Sequence, residues 1–202
     1  MSNKMPSIEA KLTGLCPLLL NNDQMADPEN VFAIRKKAIT SSVKLKNTDK
    51  GREDLKSISF FAALHTYKGK VVIPANMIYA NILKSSKTWK RGPDVKAGIV
   101  VSANPIYLKF PDDDKTLEEL FALGYYDERL VTINGKKIMR TRPRFDEWSC
   151  AVQVYYDDEL FNHDDLLHIM ERGGRIGIGD YRDLFGKFII EVKKGKGKNA
   201  KK

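Results

Sequence analysis

The dipeptide Asn134-Gly135 lies between two strand-like runs and restricts the fold of this chain more than any other feature. Apolar and β-branched residues run from Leu130 to Ile133 before it, and a basic run begins at Lys136. Asn and Gly populate the left-handed conformations that a type I′ turn requires. The sequence therefore predicts an antiparallel β-hairpin that carries basic residues on its second arm.

Alternation and capping signals predict the elements before this hairpin. Ile8, Ala10 and Leu12 alternate with polar residues as in a strand, and Asp27-Pro28 has the residues favoured at a helix start. The polar residues 41–52 predict a loop, and residues 60–67 and 71–73 predict a second hairpin around Lys68-Gly69-Lys70. Pro74 opens a helix that is expected to fray at Ser85-Ser86.

The remaining elements complete an alternating order. Strands are expected near residues 99–110, a short helix at 117–123, a strand around 148–156, a helix from Asn162 to Gly173-Gly174, and a last strand at 185–192. This order predicts an α+β fold with a mostly antiparallel sheet and helices on one face. A single domain over residues 1–192 with inserted loops is expected, followed by a disordered basic tail at 193–202.

Composition excludes several classes of protein. With 42% apolar residues the chain can bury a core, and no apolar run approaches the roughly 20 residues of a membrane span. The polar N-terminus lacks the apolar stretch of a secretory signal, so a cytoplasmic setting is expected. Cys16 and Cys150 lack metal-site spacing and are interpreted as small core residues. No cofactor or metal site is expected.

The net charge of +9 is unevenly distributed. Six lysines lie in residues 193–202, and the chain without them carries 29 − 26 = +3. Such a tail either holds the protein near a polyanion or merely keeps it soluble. Two further basic stretches contain no acid and predict phosphate-binding surfaces, or else solvated faces: Lys84, Lys87, Trp89, Lys90 and Arg91 in the first, and Lys136, Lys137, Arg140, Arg142 and Arg144 in the second.

A glycine-rich segment precedes the last strand. It contains Gly173, Gly174, Gly177, Gly179 and Gly186, with Arg175, Arg182 and Lys187 among them. A dinucleotide fingerprint needs a preceding strand and a following helix, and a Walker loop needs Ser or Thr after Gly-Lys, so neither motif fits. The segment either exposes backbone N–H groups and cations to phosphates or simply permits a tight turn.

This segment resembles the signature loop of the RAMP superfamily, the CRISPR-associated proteins with an RRM-like (ferredoxin-like) fold. Residues 12–19 look like the first strand and entry loop of the subgroup that forms the backbone of CRISPR effector complexes, and residues 72–83 look like its apolar-Pro-small segment leading into a helix. The three segments occur in the expected order between residues 12 and 188. A free-standing phage or mobile-element relative fits equally well.

The resemblance implies an RRM-like fold that binds single-stranded nucleic acid, RNA rather than DNA, along a basic groove. It also implies copies assembling side by side, or partners among CRISPR-type effector subunits. Trp89, Phe145 and Trp148 lie beside the basic stretches, where aromatic rings can stack bases while cations hold phosphates. Trp148 shares a face with Cys150 and Val152 and is interpreted as a core residue, whereas Trp89 is expected to be exposed. Stacking is sequence-tolerant, so salt-sensitive binding without strong sequence preference is expected.

Two alternatives remain open. Some members of the superfamily cut RNA with a metal-assisted aspartate or a histidine, which makes Asp23, Asp27 and His65 candidates; His163 and His168 lie in an acidic segment that should repel RNA. However, Asp27 is also explained as a helix cap, and the expectation leans against catalysis. The other alternative is a protein-interaction module, an inhibitor that mimics a backbone subunit.

Overall fold

A computed structural model describes residues 5–192, except Ala103 and Asn134 and the side chains of Ile133 and Lys136. The predicted tail at 193–202 lies outside the described residues. The strands of this part are β1 (Ser7–Gly14), β2 (Leu18–Leu19), β3 (Thr66–Tyr67), β4 (Lys70–Ile73), β5 (Ile99–Val101), β6 (Ile106–Tyr107), β7 (Tyr126–Ile133), β8 (Lys136–Phe145), β9 (Ser149–Tyr156) and β10 (Phe188–Val192).

The helices alternate with these strands. They are α1 (Val31–Thr40), α2 (Val43–Lys46), α3 (Asp49–Ala63), α4 (Ala75–Ser86), α5 (Gly92–Gly98), α6 (Leu117–Ala122) and α7 (His163–Ile176), and short 3₁₀ turns occupy Asp23–Ala26 and Lys87–Trp89. None of the described helices has the length and apolar character needed to cross a membrane.

The central sheet has the strand order β10-β1-β9-β5, and all neighbours are antiparallel. Together with α4 before β5 and α7 before β10, these strands follow the β-α-β-β-α-β order of the ferredoxin-like fold. The first strand in sequence lies between the fourth and the third, with the second at the edge, as in RRM-like proteins. The predicted α+β, RRM-like fold is therefore confirmed.

One face of this sheet forms the core. Ile8, Ala10 and Leu12 of β1 are buried, and Ala10 pairs with Val152 of β9. Helix α4 packs against α7 and β5, and α7 packs against β10. Ser7, Glu9 and Lys11 alternate with the buried residues of β1, are exposed and lie on the opposite, open face of the sheet.

Residues 15–74 and 102–148 are insertions between the elements of this sheet. The first contributes α1 to α3, and the second contributes the β7–β8 hairpin, whose register ends at the pair Ile133↔Lys136. The two-residue hairpin connection predicted from the sequence is confirmed. Strand β8 also pairs with β2, at Leu18↔Phe145, so the two insertions share a three-stranded sheet.

Several predicted boundaries are wrong. Helix α1 begins at Val31 rather than at Pro28, because the Asn30 side chain caps it. Much of the predicted loop at 41–52 and the first half of the predicted strand at 60–67 form α2 and α3 instead. Thr48 caps α3, and the apolar run at its end buries Phe60 against the core. A short apolar run fits a buried helix as well as a strand.

The end of α4 and the course of α7 also differ from the prediction. Ser85 and Ser86 are fully buried rather than frayed. Gly173 and Gly174 do not end α7 but lie within it, and the helix ends before Gly177, which has a φ of 86°. A Cβ on Gly174 would lie 2.2 Å from the Phe188 carbonyl oxygen, so glycine is needed there for close packing and not for a turn.

The two cysteines differ in environment. Cys150 of β9 is buried, as expected of a core residue, and burial raises the pKa of its thiol to about 12. Cys16 is only half-buried, in the connection between β1 and β2. Its Sγ accepts a hydrogen bond from the Lys187 amide at 3.3 Å.

Candidate nucleic-acid interface

A groove of about 730 Å³ lies between α1 and the β8 arm of the hairpin. Its cations are Lys36 and Lys37 of α1 and Arg140 and Arg142 of β8, and its wall is completed by residues 21–26. The two arginines are two positions apart in a strand, so they share one face of β8. The fold therefore brings together basic residues that are about a hundred positions apart in sequence.

Helix α1 contributes to this groove because it lies on the surface. No residue of α1 is fully buried, and the helix packs on α3. Neither Lys36 nor Lys37 forms an ion pair with any described acidic residue. The sequence stretch Arg35-Lys36-Lys37 was the available signal for these residues, which the sequence analysis did not include in the site.

The electrostatics of the groove favour an anion. Burial, followed by the charges of Arg140 and Arg142, lowers the pKa of Lys36. Among the described residues, Arg140 has no ion-pair partner either. A phosphate between these groups would relieve their mutual repulsion, because an opposite charge stabilises the charged form of each.

Arg142 is held in place by the glycine-rich segment. Its Nε donates to Oδ2 of Asp180 at 2.9 Å, and only 9% of Arg142 is exposed. The Asp180 amide in turn donates to the Leu19 carbonyl at 2.8 Å. A Cβ on the neighbouring Gly179 would lie 2.3 Å from that carbonyl oxygen, so this contact requires glycine. The segment thus supports the wall of the groove.

The same segment supports a cation that the sequence analysis missed. The Arg129 guanidinium of β7 lies 4.9 Å from the ring centre of Tyr181 and 4.8 Å from that of Phe185. Its Nη2 also donates to Oδ1 of Asp127 at 2.8 Å. Arg129 faces Arg140 across the hairpin, and this register was the only signal that could have identified it.

Most backbone N–H groups of the glycine-rich segment are not available to phosphates. Those of Gly177, Ile178, Asp180 and Gly186 donate to backbone carbonyls of Gly173, Gly186, Leu19 and Pro17, respectively. The Tyr181 amide donates to the side chain of Asp180. These backbone N–H groups are therefore not exposed to phosphates, and the alternative prediction of a tight turn describes the segment better.

The first basic stretch lies elsewhere, at the end of α4. Lys84, Lys87 and Lys90 are exposed, and Trp89 is 47% exposed. Trp89 lines a separate pocket of about 280 Å³ with His168 of α7. This pocket shares no lining residue with the groove beside α1.

Arg91 has a structural role. Its guanidinium donates to Asp94 at 2.8 Å, to Asp165 at 3.2 Å and to the Leu160 carbonyl, and it lies over the Phe161 ring. These partners raise the pKa of Arg91, chiefly through the hydrogen bond to Asp94. Its charge is neutralised within the protein, so it is a poor phosphate ligand.

The other predicted cations are dispersed. Arg144 pairs with Asp146 at 2.7 Å and with Asp127 at 3.6 Å. Lys137 is exposed on the hairpin, and the Lys136 side chain lies outside the described residues. Arg182 is exposed. Arg175 and Lys187 line a different groove beside β10.

Two of the three rings beside the basic stretches are buried, as expected for Trp148 but not for Phe145. Phe145 is 0% and Trp148 only 3% exposed. The Trp148 indole N–H donates to the Cys16 carbonyl at 2.9 Å, and a Cβ on Gly14 would clash with its ring. Both rings are part of the core, so of the three only Trp89 remains accessible to a base.

Of the catalytic candidates, Asp23 lines the α1–β8 groove and His65 contacts Asn21 in its wall. Asp23 accepts a hydrogen bond from the Asn21 side chain at 2.9 Å. The His65 Nε2 lies 3.2 Å from the Asn21 carbonyl oxygen, and burial lowers the pKa of this histidine. The Asp27 carboxylate instead accepts a hydrogen bond from the Glu29 amide in the turn before α1.

The remaining histidines lie on α7, where His163 contacts Asp164. Among the described residues, no group of three or more His, Cys, Asp or Glu side chains could hold a metal ion.

The open face of the central sheet is not basic. Along β1 it carries Lys11 beside Glu9, and Lys11 pairs with Glu191 of β10. Tyr155 of β9 is its half-buried aromatic residue. Lys36, Lys37 and Arg140, which have no described ion-pair partner, thus lie in the α1–β8 groove rather than on the sheet surface.

Comparison with known proteins gives no family assignment. No protein-family model matches the chain, and no curated protein is similar enough in sequence to show a relationship. The resemblance to the RAMP superfamily stays a prediction.

Proposed function

We propose that the protein binds single-stranded nucleic acid in the groove between α1 and β8, without strong sequence preference and without cutting it. The observation that carries this proposal is the convergence of Lys36, Lys37 and Arg140, none of which has a described acidic partner. Phosphate contacts by such cations are independent of base identity.

The nature of the strand and its setting follow from the sequence resemblance. RNA is favoured over DNA because the RAMP backbone subunits that the chain resembles bind RNA. Further copies of the chain, or subunits of a CRISPR-type effector complex, are the proposed partners. The cytoplasm, where such complexes act, is the proposed location.

Titration of fluorescent single-stranded RNA, single-stranded DNA and duplex at several salt concentrations tests the proposal. We expect RNA to bind most tightly, and we expect Lys36→Met with Arg140→Met to weaken binding. The logarithmic salt slope should fall by about 0.7 for each phosphate that the variant no longer neutralises. Methionine keeps the apolar stem of each side chain, so the fold should be retained.

A charge-matched control is Lys11→Met with Lys96→Met, since both lysines are exposed and outside the groove. Equal weakening by the two double variants, or equal binding of all three nucleic acids, would contradict the proposal.

Nuclease activity is the second candidate, because Asp23 lies in the same groove as the cations. Gel analysis of the labelled RNA after incubation with Mg²⁺ or EDTA distinguishes the two functions. We expect intact RNA in both samples. Discrete products that require Mg²⁺ and disappear in Asp23→Asn would instead show cleavage.

A further inference from the structure

Strand β10 forms one edge of the central sheet. It pairs with β1 on one side, and no described strand pairs with its other side. The opposite edge strand, β5, has only three residues, whereas β10 has five. Strand β10 is therefore the longer of the two edges of this sheet.

The hydrogen-bond alternation shows which amides of β10 point outward. The Leu15 amide donates to the Lys187 carbonyl at 2.8 Å, and the register continues through Thr13↔Ile189. Hydrogen-bonded and non-hydrogen-bonded pairs alternate in an antiparallel ladder. The N–H and C=O groups of Ile190 and Val192 are therefore directed away from β1, toward the open edge.

This edge lacks the usual protection. Exposed edge strands commonly carry lysine, proline or a bulge that prevents pairing with another chain. The sequence of β10 is Phe-Ile-Ile-Glu-Val, with neither lysine nor proline, and its register with β1 is continuous. Among the described residues, Gly174 of α7 lies against the Phe188 carbonyl and covers the edge at that point.

A groove of about 600 Å³ runs beside this edge. Its apolar lining includes Leu15 and Ile189, which are 66% and 46% exposed. Its charged residues are Arg175, Lys187 and Glu171, so cations exceed acids. The groove therefore combines main-chain N–H and C=O groups that pair with no described strand, exposed apolar side chains and an excess of positive charge.

We propose that the edge of β10 binds an extended segment of a partner protein in which apolar and acidic residues alternate. The segment adds a fifth strand to the sheet, with main-chain hydrogen bonds to Ile190 and Val192 supplying affinity. Alternate side chains of an added strand point to opposite faces, so apolar residues contact Ile189 and Leu15 while acidic residues on the helix-covered face reach Arg175. Lys187, two positions before Ile189, adds positive charge at the start of the edge.

The charges argue against a second copy of this chain as the occupant. Antiparallel pairing of two β10 edges about a two-fold axis would bring Lys187, at the start of each strand, toward Val192 at the end of the other. Six lysines also follow Val192 in the sequence. Like charges brought together in an interface oppose association, whereas an acidic segment meets the same cations favourably. The binding surface shares no lining residue with the α1–β8 groove.

The test uses a short synthetic peptide in which valine and aspartate alternate, and a matched peptide with lysine in place of aspartate. Fluorescence anisotropy should show the aspartate peptide binding about tenfold or more tightly than the lysine peptide. Ile190→Pro removes an outward N–H without breaking the ladder to β1, so it should weaken aspartate-peptide binding about tenfold. Ile190→Val keeps the amide and should bind normally.

A second variant does not depend on proline being tolerated. Arg175→Glu with Lys187→Glu should reverse the preference, so that the lysine peptide binds more tightly. Unchanged peptide binding in both Ile190→Pro and the charge-reversal variant would overturn the proposal. So would a concentration-dependent dimer that Ile190→Pro abolishes, which would identify a second copy as the occupant. Competition by single-stranded RNA that survives Lys36→Met with Arg140→Met would instead make this edge a nucleic-acid site.

Discussion

At the scale of single residues, the contact between Asn81 and Gly173 joins α4 to α7. The buried Asn81 amide donates to the carbonyls of Gly173 at 3.0 Å and Gly177 at 2.8 Å, and thereby satisfies acceptors at the end of α7. A Cβ on Gly173 would lie 2.1 Å from Asn81 Oδ1. Helix propensity alone would favour alanine at this position by about 1 kcal/mol. We expect the close packing against Asn81 to outweigh this preference, so that alanine lowers the stability of the protein.

We predict that Gly173→Ala destabilises the protein by about 1–3 kcal/mol, the usual cost of overpacking a core. Urea denaturation followed by circular dichroism measures the change. Gly92→Ala in α5 is the control, because the nearest neighbour of its Cβ would be 3.9 Å away. A Gly173→Ala protein as stable as the control would show that α4 and α7 separate without cost.

At the scale of elements, the β7–β8 hairpin depends on Asp127. Its carboxylate bonds Arg129 and lies 3.6 Å from Arg144, and the hydrogen bond from Arg129 chiefly lowers the pKa of Asp127. A lowered pKa in the folded state stabilises the protein above the ordinary aspartate pKa of about 3.9, and this stabilisation is lost as the pH falls through the folded-state pKa. We therefore expect Asp127→Asn to lower the melting temperature at neutral pH.

The difference in melting temperature between Asp127→Asn and the unsubstituted protein should shrink steadily as the pH falls below about 4. Thermal melts across this range test it, with Asp54→Asn as the control, since Asp54 is exposed and has no described ion pair. A difference that persists unchanged in acid would mean that Asp127 acts through packing rather than charge.

Some helices and strands could be located from the local sequence alone, and others could not. The β7–β8 hairpin, the Thr116 cap of α6 and Pro74 before α4 depend on neighbouring residues, and the hairpin and both helix starts were predicted close to their observed places. The start of α1 and the helical state of residues 60–63 were not predicted correctly. At α1 the Asn30 cap competes with Asp27-Pro28, and for residues 60–63 burial of Phe60 against α6 and the core favours the helix over a strand.

At the scale of the whole molecule, positive charge is found both in the α1–β8 groove and in the tail of residues 193–202. Deleting residues 193–202 lowers the net charge from +9 to +3. Because counterion release scales with the phosphates neutralised, the deletion should flatten the salt dependence of RNA binding but leave binding measurable. Anisotropy titrations of the full chain and the deletion at matched salt concentrations test this. Complete loss of binding on tail deletion alone would place the site in the tail and not in the α1–β8 groove.

The sequence by itself determined the fold class and the positions of the β7–β8 hairpin, α4 and α7, because alternation, caps and turn residues act over a few neighbouring positions. Only the tertiary structure decided which charges meet. It placed Lys36 beside Arg140, paired Arg91 and Arg142 with acids distant in sequence, and buried Trp148. Charge and ring type are properties of one residue, but a binding site depends on packing between elements that the insertions bring together.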